Sequence, residues 1–333
     1  MCLWHGSKEW RFLSSELGPT GVSLFFVLSG YLITRLLIRE ETKFGNVHLK
    51  LFFARRALRL FPALWLYLAT VTLLILATQV PNEGWHSVIA GFIYVRNIFG
   101  RGHETSHLWS LSLEEQFYIV WPLLFLLLKN RSAARTILVC LPLILVPIWR
   151  EVADANNLVS NQGVLYMRTD FRMDSPCYGC LLALLESPQN HRLTSLFQSP
   201  RFQFTLTSIG FIGILLWSGF RGTENTLGGF NYSVGSLLGF LILAGLIKAP
   251  RYNFSWLHFK PLVYLGQISY SIYLWQNLFI GPATSLESIR SSPFLALFCP
   301  ILMAVVSWHG FEKKFISLKD TYLQRNMLPA TSP

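Results

Sequence analysis

Charge is what this sequence has least of. Only 14% of its 333 residues are Asp, Glu, Lys or Arg, whereas a soluble globular domain carries about 25%. So few charges cannot solvate the surface of a chain this size, and those present cluster between long apolar runs, the pattern of a chain that crosses a bilayer. Cysteine is scarce too: Cys2, Cys140, Cys177, Cys180 and Cys299 are the five. Only Cys177 and Cys180 form a Cys-x-x-Cys pair, which could mark a redox or metal site. No second pair accompanies it, and it heads an apolar stretch rich in small residues, so close helix packing is the expectation. No His, Cys, Asp or Glu cluster has metal-ligand spacing, and no metal is expected. Acidic residues are outnumbered, 17 against 28 Lys and Arg, for a net charge of +11. No motif for RNA or DNA accompanies that charge, so no nucleic-acid partner is expected. No internal repeat or low-complexity segment stands out, and neither a signal peptide nor an appended soluble domain is expected.

Hydrophobic residues make up 52% of the chain. Apolar runs lie near 21–38, 60–80, 111–128, 136–149, 175–187, 203–220, 232–249, 262–284 and 293–311. They predict an all-α fold, a polytopic transmembrane helix bundle of about nine to ten helices in contact with membrane lipids. The run 86–99 holds His86, Arg96 and Asn97 and reads as an interfacial or re-entrant piece. With that piece left uncrossed, segments 35–59, 129–135, 188–202, 248–260 and the tail from 312 share one side. They hold roughly two thirds of the 28 Lys and Arg, which makes that side cytoplasmic. The expected organisation is one integral-membrane domain over 1–333, with 312–333 as a cytoplasmic tail. Residues 1–5 look like the last turn of a helix whose beginning would precede Met1.

Polar groups within such spans are costly and therefore functional candidates. Arg55, Arg56 and Arg59 precede Pro62 and an apolar run. Spacings of three and four put Arg59 on a face with each of the others. Guanidinium groups at a cytoplasmic mouth suit phosphates, and they also suit a plain positive-inside anchor. In His107-Leu-Trp109-Ser110-Leu-Ser112-Leu-Glu114-Glu115-Gln116-Phe-Tyr118, two adjacent carboxylates enter an apolar helix. At 100° per residue one can face the rim while the other turns inward. Ser29-Gly30 lies within a span and would let another backbone approach. Gly266 to Asn277 is too polar for a lipid-facing helix; Gln267, Tyr270, Tyr273, Gln276 and Asn277 could line a cavity or bond between helices.

Together these segments resemble the acyltransferase 3 family of membrane-bound acyltransferases, which includes enzymes that O-acylate O-antigen, exopolysaccharide and macrolides. The matching stretches are Gly21–Ile33, Phe52–Pro62, His107–Pro122, Phe171–Leu185, Leu265–Trp275 and Trp308–Phe315, in the family's order. The resemblance implies a bundle of ten helices, an acyl-CoA donor from the cytoplasm and an acceptor on the membrane or its far side. It implies a catalytic base near the end of the first helix, where only His5 fits. The family's paired arginines map onto Arg56 and Arg59, and Arg55 joins them as a donor-binding candidate. Its carboxylate maps onto Glu114 or Glu115, with Glu115 preferred. Trp109, Ser110, Tyr270, Tyr273 and Gln276 are the substrate-binding candidates. The chain departs from the family pattern in carrying Ser23 where an Asp is usual and Gln276 where a His is frequent. The family's first-helix Arg would precede Met1.

The expected activity is transfer of an acyl group, acetyl by default, from acyl-CoA to a hydroxyl of a carbohydrate or lipid-linked glycan. The setting is a bacterial inner (plasma) membrane, crossed many times. The rival readings are a transporter or permease, for which two related halves would be expected, and an inactive paralogue truncated at its amino terminus. His48, His86, His103, His191 and His258 read as solvated or external, and His309 as a partner of Glu312.

Overall fold

A computed structural model describes residues 8–77, 84–99, 102–159, 162–187, 199–221, 230–247, 255–280 and 292–318. His5, the expected base, lies outside the described residues. The elements among them are helical, with twelve α-helices: α1 (Lys8–Phe44), α2 (Leu49–Leu76), α3 (Trp85–Phe92), α4 (Leu108–Leu127), α5 (Ser132–Ala155), α6 (Gln162–Met167), α7 (Asp174–Leu185), α8 (Pro200–Arg221), α9 (Asn231–Leu246), α10 (Lys260–Gln267), α11 (Ser269–Ile280) and α12 (Pro293–Ser307). This is more than the nine to ten read from the apolar runs. The short helices α3, α6 and α10, of 8, 6 and 8 residues, account for much of the difference.

Segments Gly18–Phe44, Leu49–Leu76, Ser132–Ala155 and Phe294–Leu318 are each long and apolar enough to cross a membrane. At 1.5 Å per residue each exceeds the roughly 30 Å of a hydrocarbon core. The protein is a multi-pass membrane protein. Many large apolar side chains accordingly face outward, among them Leu73 and Leu76 on α2 and Ile144 and Leu145 on α5.

The chain divides into two compact units, with the boundary after Ser112 near the head of α4. One unit takes the described residues within 48–112 and 257–318. Its core joins Ala63, Leu64, Tyr67, Leu68 and Val71 of α2 to Leu108 and Leu111 of α4, to Leu274, Trp275 and Leu278 of α11, and to Ala304 of α12. Segment 86–99 does not form a span here. It is the eight-residue α3 followed by turns, with Arg96 donating through Nε to Thr105 Oγ1 at 3.0 Å and through Nη2 to the Gly102 carbonyl at 2.9 Å.

The other unit takes residues 6–47 and 113–256. Its tightest seam is α1 against α7, where a glycine on each helix lets the backbones meet. A Cβ on Gly30 would lie 1.9 Å from the Pro176 carbonyl oxygen, and one on Gly179 would lie 1.8 Å from that of Val27. Small residues allow two backbones to meet in this way where burial alone cannot drive association. Cys177 and Cys180 belong to the same seam; both are buried and free, and the Cys180 thiol lies 3.7 Å from the Gly30 carbonyl. Among the described residues no three His, Cys, Asp or Glu side chains gather to hold a metal. The loop end of the unit is tied by Arg135, which forks onto Glu41 at 2.7 and 2.8 Å while also donating to the Phe125 carbonyl.

Candidate active site

In the first unit the site begins on α2. Lys50, Arg55, Arg56 and Arg59 fall in its amino-terminal half, and the helix contains no acidic residue. Cations early in a helix work against its dipole, so helix stability does not explain them. The Arg56 guanidinium lies over the ring of buried Phe52, 5.5 Å from its centroid. Arg55 and Arg56 are half-buried and Arg59 is exposed. The three therefore present a graded cationic face, and planar guanidinium groups match phosphate oxygens.

The polar residues of α11 turn toward α2 and the head of α4. Tyr270 donates to the Leu60 carbonyl at 3.0 Å, one residue past Arg59. Tyr273 donates to the His107 carbonyl at 2.7 Å and bonds the hydroxyl of buried Ser110. Asn277 donates through Nδ2 to the Glu104 carbonyl at 2.9 Å, which Tyr67 also reaches with its hydroxyl at 2.6 Å. Trp109 is buried and Gln276 half-buried. Gln267, expected on the same stripe, is exposed, because α10 ends at it and α11 starts afresh at Ser269.

His107 occupies the middle of this cluster. Its ring stands edge-on between Tyr67 and Tyr273, with centroids 5.3 and 5.4 Å away. Neither ring nitrogen makes a well-formed hydrogen bond. Burial pushes its pKa down to about 3 and the nearby Arg96 charge works in the same direction; the carbonyls of Leu274 and Glu104 offset this only in part. The imidazole is thus neutral. It stood in a motif noted in the sequence but received no role there, since nothing in a sequence says which polar neighbours will surround a histidine.

His309 differs from its expected partner. It bonds the Tyr264 hydroxyl at 3.1 Å, while Glu312 accepts from Ser271 and Ser307. A π-turn over Trp308–Glu312 changes the register between them.

The paired carboxylates lie in the second unit. Glu114 is the buried one: it accepts from Tyr118 at 2.6 Å and from Ser29 of α1. Glu115 is half-buried. Gln116 accepts from Thr169. Arg150, Arg172 and Asp174 are functional candidates that the sequence does not single out. All three are fully buried, and Arg150 pairs with Asp174 at 2.9 Å. The available signal was the Arg172-x-Asp174 spacing beside an apolar run, where a charge must be paired to persist.

The chain is 32% identical over 302 residues to the peptidoglycan O-acetyltransferase OatA of Listeria monocytogenes, covering 84% of this chain and 47% of that protein. It is 30% identical over 332 residues to the O-acetyltransferase OatA of Staphylococcus aureus, covering 93% of this chain and 54% of that protein. The chain spans about half the length of the curated relatives it matches. No solved structure matches it significantly. The model of an acyltransferase domain matches residues 3–309, nearly the whole sequence, and the chain belongs to the acyltransferase 3 family.

Proposed function

We propose that this chain is an O-acyltransferase of a bacterial inner membrane. From within a bundle of nine to ten membrane-crossing helices it moves an acetyl group from acetyl-CoA to a hydroxyl of a carbohydrate, either peptidoglycan or a lipid-linked glycan. One observation carries the donor assignment: α2 places Arg55, Arg56 and Arg59 within five residues and offers them no carboxylate of its own. The names of the relatives support the acceptor class.

Arg56 and Arg59, with Arg55 beside them, bind the donor's phosphates. His5 takes the proton from the acceptor hydroxyl; an unperturbed imidazole near pH 6.5 suits that work. The hydroxyl oxygen attacks the thioester carbonyl, the C–O bond forms, the C–S bond breaks, and the thiol leaves with a proton. Glu115 is the supporting carboxylate, and its neighbour Glu114 is engaged with Ser29 and Tyr118. Trp109, Ser110, Tyr270, Tyr273 and Gln276 shape the acceptor side, and apolar helices keep water from the thioester.

The test is transfer of label from acetyl-CoA to glycan in membranes carrying the full chain. Loss of transfer in His5→Ala with normal protein levels supports the base assignment, and unchanged transfer removes His5 from the mechanism. Failure of the unaltered chain to label any glycan while it moves an unmodified solute would overturn the reading.

A further inference from the structure

Away from the residues assigned to transfer, the second unit buries two guanidinium groups against one carboxylate. Arg150 is well served: Nη2 meets Asp174 Oδ2 at 2.9 Å, Nε donates to the Phe171 carbonyl at 2.8 Å, and Nη1 reaches Ser233 Oγ at 3.3 Å. Ser233 also donates to Asp174 Oδ2, at 2.6 Å. Arg172 is served poorly. Its one hydrogen bond runs from Nη2 to Ser23 Oγ at 3.0 Å, and Nε and Nη1 have no partner although the side chain is fully buried. Ser23 gives its own proton to the Pro19 carbonyl at 3.1 Å and brings no charge. The rings of Tyr232, Tyr166 and Phe26 enclose the guanidinium at 4.8, 5.4 and 5.8 Å. Aromatic faces attract a cation but accept no N–H in the manner of an oxygen or halide, and a buried ion without a counter-ion is strongly disfavoured.

We infer that Arg172 and Ser23 form a binding site for one small monoanion, a halide or a short carboxylate, enclosed within this helical unit. The charge count selects the ligand class. A single negative charge neutralises the excess guanidinium, and the donors on Nε and Nη1 are those it would use. Water could fill those donors without supplying charge. Asp174 Oδ1 also lacks a partner, but Asp174 is paired with Arg150, and one carboxylate against two guanidinium groups leaves the cluster a positive excess.

The experiment is thermal unfolding of the purified full chain in detergent, in sodium chloride, sodium acetate and sodium gluconate at equal ionic strength. Gluconate is too large for an enclosed site. The expected result is a saturable rise of a few degrees in Tm over gluconate. A rise in chloride alone identifies a halide, and a rise in acetate alone a short carboxylate. Ser23→Asp supplies the missing charge; it should raise Tm in gluconate and abolish the anion dependence, whereas neutral Ser23→Asn should keep it. Equal Tm in all three salts, or the same dependence in Ser23→Asp as in the unaltered protein, overturns the proposal. If Ser23→Asp does not fold, crystals of the unaltered protein soaked in bromide and in bromoacetate decide: an anomalous peak against Arg172 with either supports the site, and its absence with both refutes it.

Discussion

The hydroxyl of Tyr273 donates to the backbone carbonyl of His107 at 2.7 Å. This bond pins the third residue of one polar stripe to the turn that opens α4, and through Ser110 it draws the Trp109-Ser110 motif into the same cluster. Tyr273→Phe keeps the ring against His107 and removes both bonds. It should cost about 0.5–1.5 kcal/mol for each bond, the net contribution of a hydrogen bond whose acceptor keeps another donor, here Ser110 on the His107 carbonyl, read as a lower Tm in detergent. Because the ring stays, the cost should fall on the hydroxyl alone, and Tyr273→Leu should cost more.

The cationic face of α2 makes a kinetic prediction. Arg59→Ala should raise the KM for acetyl-CoA by roughly 10- to 100-fold, since a charge-assisted bond contributes about 1.5–3 kcal/mol. Arg59→Lys should recover part of it, because an ammonium keeps the charge and loses the fork. A change in kcat with KM constant would place Arg59 at the chemistry instead of the donor phosphates.

His107 predicts a pH dependence with a definite sign. Its folded pKa of about 3 lies below the ordinary 6.5, so the unfolded chain binds the extra proton. Its contribution to stability is full above pH 6.5 and is lost as pH falls toward 3, at up to about 1.4 kcal/mol per pH unit. Comparing Tm from pH 8 to pH 4 in the unaltered protein and in His107→Phe should show the two curves converging or crossing on the acid side. Parallel curves would mean that the imidazole charges without penalty.

The α1–α7 seam tolerates no side chain at two positions. Gly30→Ala or Gly179→Ala should cost at least about 3 kcal/mol, at or above the usual range for overpacking, because the clash is with backbone that cannot rotate away. The measurement is the monodisperse fraction after extraction, with Gly21→Ala, where a Cβ meets nothing within 4 Å, as the control.

The helical, membrane-crossing architecture was legible because a bilayer admits few solutions and long apolar runs are hard to mistake. Ser29-Gly30 was readable as a point of close approach for the same reason: a glycine within a span has little other use. The geometry of the carboxylates was only half legible. Helical periodicity says that Glu114 and Glu115 face different ways. Which one turns inward depends on Ser29, 85 residues earlier in the chain. The burial of Arg150 and Arg172 leaves little mark in the sequence, because an arginine beside a span counts as solvated until its partner is known, and the partners come from α7, α9 and α1. Gln267 fell off its stripe because the break between α10 and α11 leaves no mark in hydrophobic spacing.

The widened turn at Trp308–Glu312 carries one more consequence. It contains an extra residue relative to regular winding, and that surplus aims Glu312 at Ser271 and Ser307 together. Deleting one residue there would tighten the coil and swing the carboxylate by about 100°, away from α11. A length change that looks harmless in an alignment would thus be felt more sharply than most single-residue replacements nearby, and insertion tolerance should fall abruptly between Ser307 and Lys313.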